Sequence, residues 1–222
     1  MSGPDAGFRS IVQRVEQEAI ARYTERLRRF GEDARTLGWG SRADQWTRFA
    51  AAVRAAEFAG RAVLDIGCGL GDFRVFLEER GLAPSSYAGI DINDALLDVA
   101  RRRFPDSRFE RRNIVTDPCA EPVCDVALML GLVNFRLRDV DNYDYAARAL
   151  DAGFAACREA LVIDMLSDRR LPEYPAEDFV FYFDPARLLA MALERTPWVD
   201  VHHSYPAIPQ REFLLVLRKA PQ

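Results

Sequence analysis

The 222-residue sequence predicts an α/β fold whose sheet is mainly parallel and whose last strand is antiparallel. Two observations support this prediction. Apolar runs of strand length alternate with segments of helical periodicity between residues 62 and 194. The chain then closes with two strand-like segments joined by a proline-marked loop, which is typical of a terminal hairpin. With 49% hydrophobic residues the chain suits one domain with a sizeable core over residues 1–222, and a second full domain is not expected.

Two helices are predicted before the first strand. Apolar residues recur at helical spacing over residues 8–30, and Gly31 ends the pattern. A loop containing Trp39 follows. Ser41 and Asp44 have the spacing of a capping box, which predicts a helix over residues 41–58.

The later elements follow from the same patterns. Strands are predicted over residues 62–66, 87–91, 107–114, 123–130, 160–165, 198–205 and 212–217. Helices are predicted from Phe73 onwards and over residues 95–104, 141–156 and 184–194. Asn93 caps the first of these three, and Asp184 followed by Pro185 is a strong signal for the start of the last.

The turn after the first strand has glycine at every second position, in the pattern Asp65-x-Gly67-x-Gly69-x-Gly71. Glycine lets the backbone turn tightly and lets a ligand touch the main chain. The spacing does not fit a dinucleotide fingerprint, and a P-loop is excluded because the only lysine is Lys219. A carboxylate at Asp65 would repel a diphosphate and attract a cation. The sequence therefore predicts a ligand that carries positive charge near this turn.

These residues resemble motif I of the class I S-adenosylmethionine-dependent methyltransferases. About twenty residues on, the segment from Tyr87 to Ile92 resembles the second strand of that family, which ends in an acid that grips the ribose. The resemblance implies a Rossmann-like sheet of seven strands in the order 3-2-1-4-5-7-6, with S-adenosyl-L-methionine as cofactor. It also implies that residues 1–59 form an N-terminal helical lid on a core of residues 60–222. The alternative, a helix that completes one face of the sheet, is left open.

The resemblance also implies cofactor-binding residues. Asp65 would lie near the methionine amino group, while Gly67, Cys68 and Gly69 line the cofactor with backbone. Asp91 would accept the ribose hydroxyls, and Ile92 would pack on the adenine. Asn113 and Ile114 are the candidates at the adenine edge, and Asp117 is the competing acid there. Leu130 would lie beside the methionine. Arg48 would pair with the methionine carboxylate, or else be a surface arginine.

Candidates for catalysis are fewer. Methyl transfer needs mainly near-attack geometry, so a general base is optional. If an imidazole removes the acceptor's proton it is His203 or His202, the only histidines, both predicted on the sixth strand. His203 is preferred to His202 because it shares the face of Val199 and Val201, but a lone histidine is more often structural. Tyr182 and Asn134 are the candidate acceptor contacts, and the aromatic segment 171–185 either closes the acceptor pocket or clamps the sheet.

Composition narrows the class of protein. The net charge of −4 does not favour a nucleic-acid-binding surface, and the longest apolar run is too short to span a bilayer. Four cysteines without metal-type spacing predict neither zinc nor disulfides, so a cytoplasmic protein is expected. No metal is expected at the acids 139, 141 and 144, because the fifth strand ends Asp164-Met165. A monomer or homodimer is expected.

The sequence thus predicts a bacterial S-adenosylmethionine-dependent methyltransferase. The methyl group is expected to move to an oxygen or nitrogen of a small molecule in secondary or glycan metabolism. Two other hypotheses stay open: a nicotinamide-dependent oxidoreductase on the same fold, which the glycine spacing disfavours, and a non-catalytic partner protein that binds S-adenosylmethionine.

Overall fold

The computed structural model describes residues 5–171, 176–205 and 211–221. The described residues form six α-helices and seven strands. The helices are α1 Asp5–Phe30, α2 Arg42–Ala55, α3 Asp72–Glu79, α4 Asp94–Arg103, α5 Asn142–Ala156 and α6 Pro185–Leu193. The strands are β1 Ala62–Ile66, β2 Ser86–Asp91, β3 Arg108–Arg111, β4 Cys124–Met129, β5 Cys157–Leu166, β6 Val199–His202 and β7 Glu212–Arg218.

One sheet contains all seven strands in the order β3-β2-β1-β4-β5-β7-β6, which confirms the predicted fold class. The strands β1 to β5 are parallel, and β7 is antiparallel to both β5 and β6. The order of the strands reverses between β1 and β4. Open α/β sheets bind ligands beyond the carboxyl ends of their strands at such a reversal.

Helices cover both faces of the sheet. On one face α2, α3 and α4 bury an aromatic cluster that includes Phe49, Phe73 and Phe76. On the other face α5 and α6 pack against apolar side chains of β4, β5 and β7. Because successive side chains of a strand point to opposite faces, the buried strands read as nearly continuous apolar runs.

The predicted caps are present. The Ser41 side chain accepts the backbone N–H of Asp44, and the Asn93 side chain accepts that of Ala95 at 3.0 Å. Asp184 likewise accepts the N–H of Ala186, and Pro185 occupies the first turn of α6. A cap accepts one of the N–H groups that a helix cannot pair itself, so these ends were readable from the sequence.

Several predicted ends were wrong. The α2 helix stops at Ala55 instead of residue 58, because Ala56 is in an extended conformation. The β3 strand is only four residues long, since the Asn113 side chain accepts the N–H of Val115 and turns the chain away. The β6 strand ends at His202, so His203 lies beyond the strand on which it was predicted.

The two N-terminal helices have different positions. The α2 helix packs against α3 and β7 and so completes one face of the sheet. The α1 helix packs on α4 and on a short 3-10 helix, Ala34–Leu37, within the segment predicted as a loop. The Asn93 side chain donates to the carbonyl of Ile20 at 3.2 Å, which fixes α1 beside the end of β2.

Candidate active site

A cavity of about 460 Å³ lies between α1 and the carboxyl ends of β1, β2 and β4. One side is formed by Gly67, Gly69 and Asp91. Much of the remaining lining comes from α1, the segment after β4, and residues 179–180; it is mostly apolar but includes the charged side chains of Glu16, Arg22 and Arg26. The crevice predicted at the glycine turn is therefore present and open.

The glycine turn presents bare backbone to this cavity. Gly67 and Gly69 have φ angles of +80° and +53°, which side-chain-bearing residues rarely adopt. A Cβ atom would lie 2.9 Å from the Leu132 side chain at Gly67 and 2.7 Å from the Leu37 side chain at Gly69. The N–H of Gly67 donates to the carbonyl of Ile90 at 2.7 Å, which ties the turn to β2.

Asp91 is held by the same turn. Its Oδ2 accepts the N–H of Gly69 at 2.9 Å, and its Oδ1 accepts the N–H of Asn93 at 2.9 Å. Burial raises the pKa of Asp91, and the backbone N–H groups oppose that shift by stabilising the carboxylate. Because each carboxylate oxygen accepts more than one hydrogen bond, both oxygens can still receive ligand hydroxyls.

Asp65 lies behind the glycine turn. It lines a small adjoining cavity together with Cys68, and that cavity shares Gly67 and Leu130 with the large one. Only 5% of Asp65 is exposed, and its carboxylate accepts a hydrogen bond from the Tyr87 hydroxyl. Burial raises the pKa of Asp65 to about 7, while the Tyr87 hydrogen bond opposes the shift. A neighbouring ammonium would stabilise its charged form.

Of the two residues predicted for the adenine edge, only one lines the cavity. Asn113, Ile92 and Ile114 line the cavity. Asp117 does not line it; its side chain is 70% exposed and pairs with Arg112 at 3.4 Å. The Asn113 amide also donates to Glu16 of α1 at 3.4 Å, a contact that sequence reasoning missed.

Arg48 is buried, with 4% of its surface exposed, so the surface alternative was wrong. Its guanidinium lines the cavity, lies over the Trp39 ring at 4.5 Å and forms an ion pair with Glu212. Sequence reasoning missed Glu212 as a partner. Glu212 and Asp164 are acids next to or within apolar strand runs, and that interruption is the signal that could have identified them.

The three predicted catalytic residues are not together. Asn134 lines the cavity, and its Oδ1 accepts the N–H of Leu166 at 2.9 Å. Tyr182 and His203 do not line it: the Tyr182 hydroxyl accepts the N–H of Glu177, and His203 stands edge-on to Phe213 with ring centroids 6.1 Å apart. Their catalytic assignment stays a prediction without support from this geometry.

The segment predicted between β5 and α6 packs against the sheet and also contributes to the cavity lining, while its role in closing an acceptor pocket stays a prediction. Phe181 and Phe183 pack into the core, whereas Phe179 and Val180 line the cavity. The carbonyl of Asn134 accepts the N–H of Phe181 at 2.9 Å, so this segment pairs with the chain after β4. Residues 172–175, including the Tyr174 of the prediction, lie outside the described residues.

Within the part of the chain that the structure describes, no three His, Cys, Asp or Glu side chains converge as metal ligands would. None of the helices there combines the length and apolar character needed to cross a bilayer.

The chain is similar to known methyltransferases in sequence. A family profile described as a methyltransferase domain matches residues 63–157. A ubiquinone/menaquinone biosynthesis C-methyltransferase, UbiE, of Xylella fastidiosa is 32% identical over 149 residues, which cover 65% of this chain and 57% of that protein. A demethylmenaquinone methyltransferase of Thermus thermophilus is 32% identical over 122 residues, 54% of this chain and 50% of that protein. The matched segment thus spans about half the length of these curated relatives.

Solved structures share the fold. Magnesium protoporphyrin IX methyltransferase (ChlM) from Synechocystis, solved with bound S-adenosylhomocysteine, superposes with a TM-score of 0.64 at 12% identity over 94% of this chain and 99% of that one. A methyltransferase from Mesorhizobium loti gives a TM-score of 0.58 at 16% identity over 79% and 98%. The sheet order, the glycine turn with its following acid and the profile match over residues 63–157 agree, so this chain is similar in fold and in that segment to S-adenosylmethionine-dependent methyltransferases.

Proposed function

We propose that this protein transfers a methyl group from S-adenosylmethionine to a small molecule with an apolar body. The observation that carries the proposal is one cavity that combines the glycine turn and Asp91 with a mostly apolar lining from α1, the segment after β4 and residues 179–180. The donor set fits the cofactor. Asp91 has capacity for two hydroxyls, and the buried Asp65 supplies negative charge for an ammonium.

In this proposal the chain contributes orientation and exclusion of water. The sulfonium of the bound cofactor supplies an already activated methyl group. Asp91 holds the ribose, Gly67, Cys68 and Gly69 offer backbone, and Ile92, Asn113 and Ile114 enclose the adenine. Asp65, Leu130 and Arg48 surround the methionine end. Holding the two reacting centres in near-attack geometry supplies much of the rate enhancement.

The acceptor would occupy the apolar half of the cavity. Leu132, Phe135 and Phe179 line this part, and the Arg22 guanidinium lies 4.4 Å from the Phe179 ring centroid. Asn134, beside them, is the polar residue that we propose as an acceptor contact. The Asn134 Nδ2 makes no hydrogen bond within the described residues, so its two N–H donors are available to an oxygen or nitrogen acceptor. We also propose a role in secondary or glycan metabolism. The proposed acceptor atom is an oxygen or nitrogen, which differs from the carbon acceptor named for the UbiE relatives.

We also propose that α1 is the lid of this site. Ile11, Val15, Ala19 and Tyr23 recur at helical spacing and all line the cavity. The stripe that predicted an amphipathic helix therefore faces the ligand space as well as the core.

Calorimetry with S-adenosylhomocysteine tests the proposal. We expect micromolar binding by the wild type, and loss of binding in Asp91→Ala and Gly69→Arg. Asp98→Ala, an exposed acid on α4, is the matched control and should bind like the wild type. Unchanged binding in both site variants would remove the assignment, and heat from NAD instead of S-adenosylhomocysteine would favour an oxidoreductase. Binding without methyl transfer from labelled S-adenosylmethionine to any extracted small molecule would favour a non-catalytic protein.

A further inference from the structure

A buried cluster of charged side chains lies where β5 and β7 pair. Asp164 is opposite Leu214, and Glu212 is opposite Leu166, so the two acids are diagonal neighbours on one face of the sheet. Arg48 reaches them from α2. Each of Arg48, Asp164 and Glu212 is at most 4% exposed.

The hydrogen bonds of this cluster are incomplete. The Asp164 Oδ1 accepts the N–H of Gly131 at 2.6 Å, whereas its Oδ2 is buried without a hydrogen-bond partner. Glu212 pairs with Arg48 and accepts the Tyr205 hydroxyl at 3.4 Å. Burying a carboxylate oxygen without a hydrogen-bond partner lowers the stability of the folded state. Such an oxygen therefore indicates either a functional role or a partner that binds there.

The charges of the cluster are also unbalanced. One arginine faces two carboxyl groups, so the cluster is neutral only when the acids together hold one proton. Burial raises the pKa of Asp164, the Glu212 carboxylate raises it further, and Arg48 opposes the shift. Among the described residues, Tyr205 is the other titratable group that faces them, and burial keeps its hydroxyl protonated by raising its pKa.

The cluster borders the reaction space. Arg48 and Glu212 line the large cavity, and Asp164 holds the Gly131 turn at the end of β4. The sheet order places β5 and β7 on the opposite side of β4 from β1, β2 and β3, which carry the proposed cofactor residues. The cluster is therefore on the side from which an acceptor would approach the methyl group.

We propose that Asp164 and Glu212, balanced by Arg48, form a site for one proton that is empty while the cofactor carries its methyl group and filled after the transfer. The inference rests on the proposed function. The positive sulfonium stabilises the ionised form of the cluster, and the neutral thioether of S-adenosylhomocysteine does not.

The step balances in atoms and charge. The bond between sulfur and the methyl carbon breaks, and its electron pair stays on sulfur. The acceptor's nucleophilic atom forms the new bond to the methyl carbon and loses its proton to the carboxyl pair. The cluster becomes neutral as the sulfonium charge disappears, and the proton later leaves to solvent.

Calorimetry with both cofactor forms tests the inference from pH 6 to pH 9. The affinity for S-adenosylmethionine divided by that for S-adenosylhomocysteine should rise roughly tenfold as pH increases. This size is expected if the sulfonium and the ionised cluster are unit charges about 10 Å apart at an effective dielectric constant of about 20. Repeating the wild-type titrations in two buffers of different ionisation enthalpy should show net proton release with S-adenosylmethionine relative to S-adenosylhomocysteine.

Asp164→Asn is the decisive variant, because the amide can keep the Gly131 hydrogen bond and leaves one acid for one arginine. Its affinity ratio should be flat with pH, whereas Asp200→Asn, an exposed acid paired with Arg218, should behave like the wild type. A ratio that still rises in Asp164→Asn, or equal proton release for both ligands in the wild type, would overturn the inference while leaving the proposed function intact. Failure of both ligands to bind would instead overturn the proposed function and the inference with it.

Discussion

Asp65 is an acid that folding removes from water. Burial raises its pKa to about 7, against an ordinary value near 4. Between these two pH values the folded state keeps a proton that the unfolded state loses, so the free energy of unfolding falls as pH rises through this window. The protein therefore gives up stability at neutral pH to keep a carboxylate beside the glycine turn.

Asp65→Asn should separate stability from binding. At pH 8 the variant should unfold with a free energy about 1–3 kcal/mol higher than the wild type, because the penalty of ionising a buried acid is gone, and the two should converge near pH 4. Its affinity for S-adenosylhomocysteine should fall about tenfold or more, since a charge-assisted hydrogen bond is lost. Urea denaturation at both pH values and calorimetry measure these effects. A less stable variant at pH 8 would contradict the raised pKa.

Gly69 and Gly81 offer a matched pair of glycines. Both have positive φ angles, +53° and +67°, but an added Cβ meets the Leu37 side chain only at Gly69 and nothing within 4 Å at Gly81. Gly81→Ala should cost about 1 kcal/mol from backbone strain alone. Gly69→Ala should cost more and weaken S-adenosylhomocysteine binding, because the turn must shift. The Leu37→Ala background should remove the difference in stability, and a difference that persists there would refute the steric explanation.

At the scale of elements, the Arg48–Glu212 ion pair joins α2 to β7. A helix that precedes the whole sheet in the chain is thereby attached to the last strand. Leaving one partner of a buried pair unpaired is much costlier than replacing both with apolar groups.

Arg48→Ala should therefore lower the free energy of unfolding by about 3–5 kcal/mol, while the double variant Arg48→Met with Glu212→Leu should recover most of that loss. Arg28→Ala, in an exposed pair with Glu25, should change stability by about 0.5 kcal/mol or less. Chemical denaturation of the four proteins is the measurement. A double variant as unstable as Arg48→Ala would show that the pair contributes net stability and not only specificity.

At the scale of the whole molecule, the cavity joins elements that are distant in the chain. Its lining includes residues of α1, Arg48 of α2, the turns after β1, β2, β3 and β4, and residues 177, 179, 180 and 212. A ligand that touches all of them links their stabilities, because anything that binds the folded state alone stabilises it by mass action.

S-adenosylhomocysteine at about 100 times its dissociation constant should raise the free energy of unfolding by about 2.7 kcal/mol. Hydrogen exchange should slow most in α1, because this helix lines the cavity and its hydrogen bonds to the rest of the site, such as those of Ile20 with Asn93 and Glu16 with Asn113, run through side chains. The buried amides of β5 should change least. Equal protection of α1 with and without ligand would argue against its role as a lid.

Much of the fold was predictable because its signals are local. The glycine turn, the caps at Ser41, Asn93 and Asp184, and the apolar runs of the strands each report on residues close in the chain. The resemblance of the turn then implied the sheet order, which the structure confirms. The ends of α2, β3 and β6 were missed because tertiary contacts and side-chain turns, rather than propensity, terminate them.

The sequence by itself determined the fold class, the glycine turn and the acid at the end of β2, since each depends on backbone conformation or on periodicity within one element. Only the tertiary structure decided that α1 faces the cavity, that Asn113 rather than Asp117 lines it, and that Arg48 meets Glu212 and Asp164. Glu16 and Asn113 are 97 positions apart in the chain, and Arg48 and Glu212 are 164 positions apart. Such pairs form only when the strands are ordered in the sheet and the helices cover it, so no local pattern in the chain encodes them.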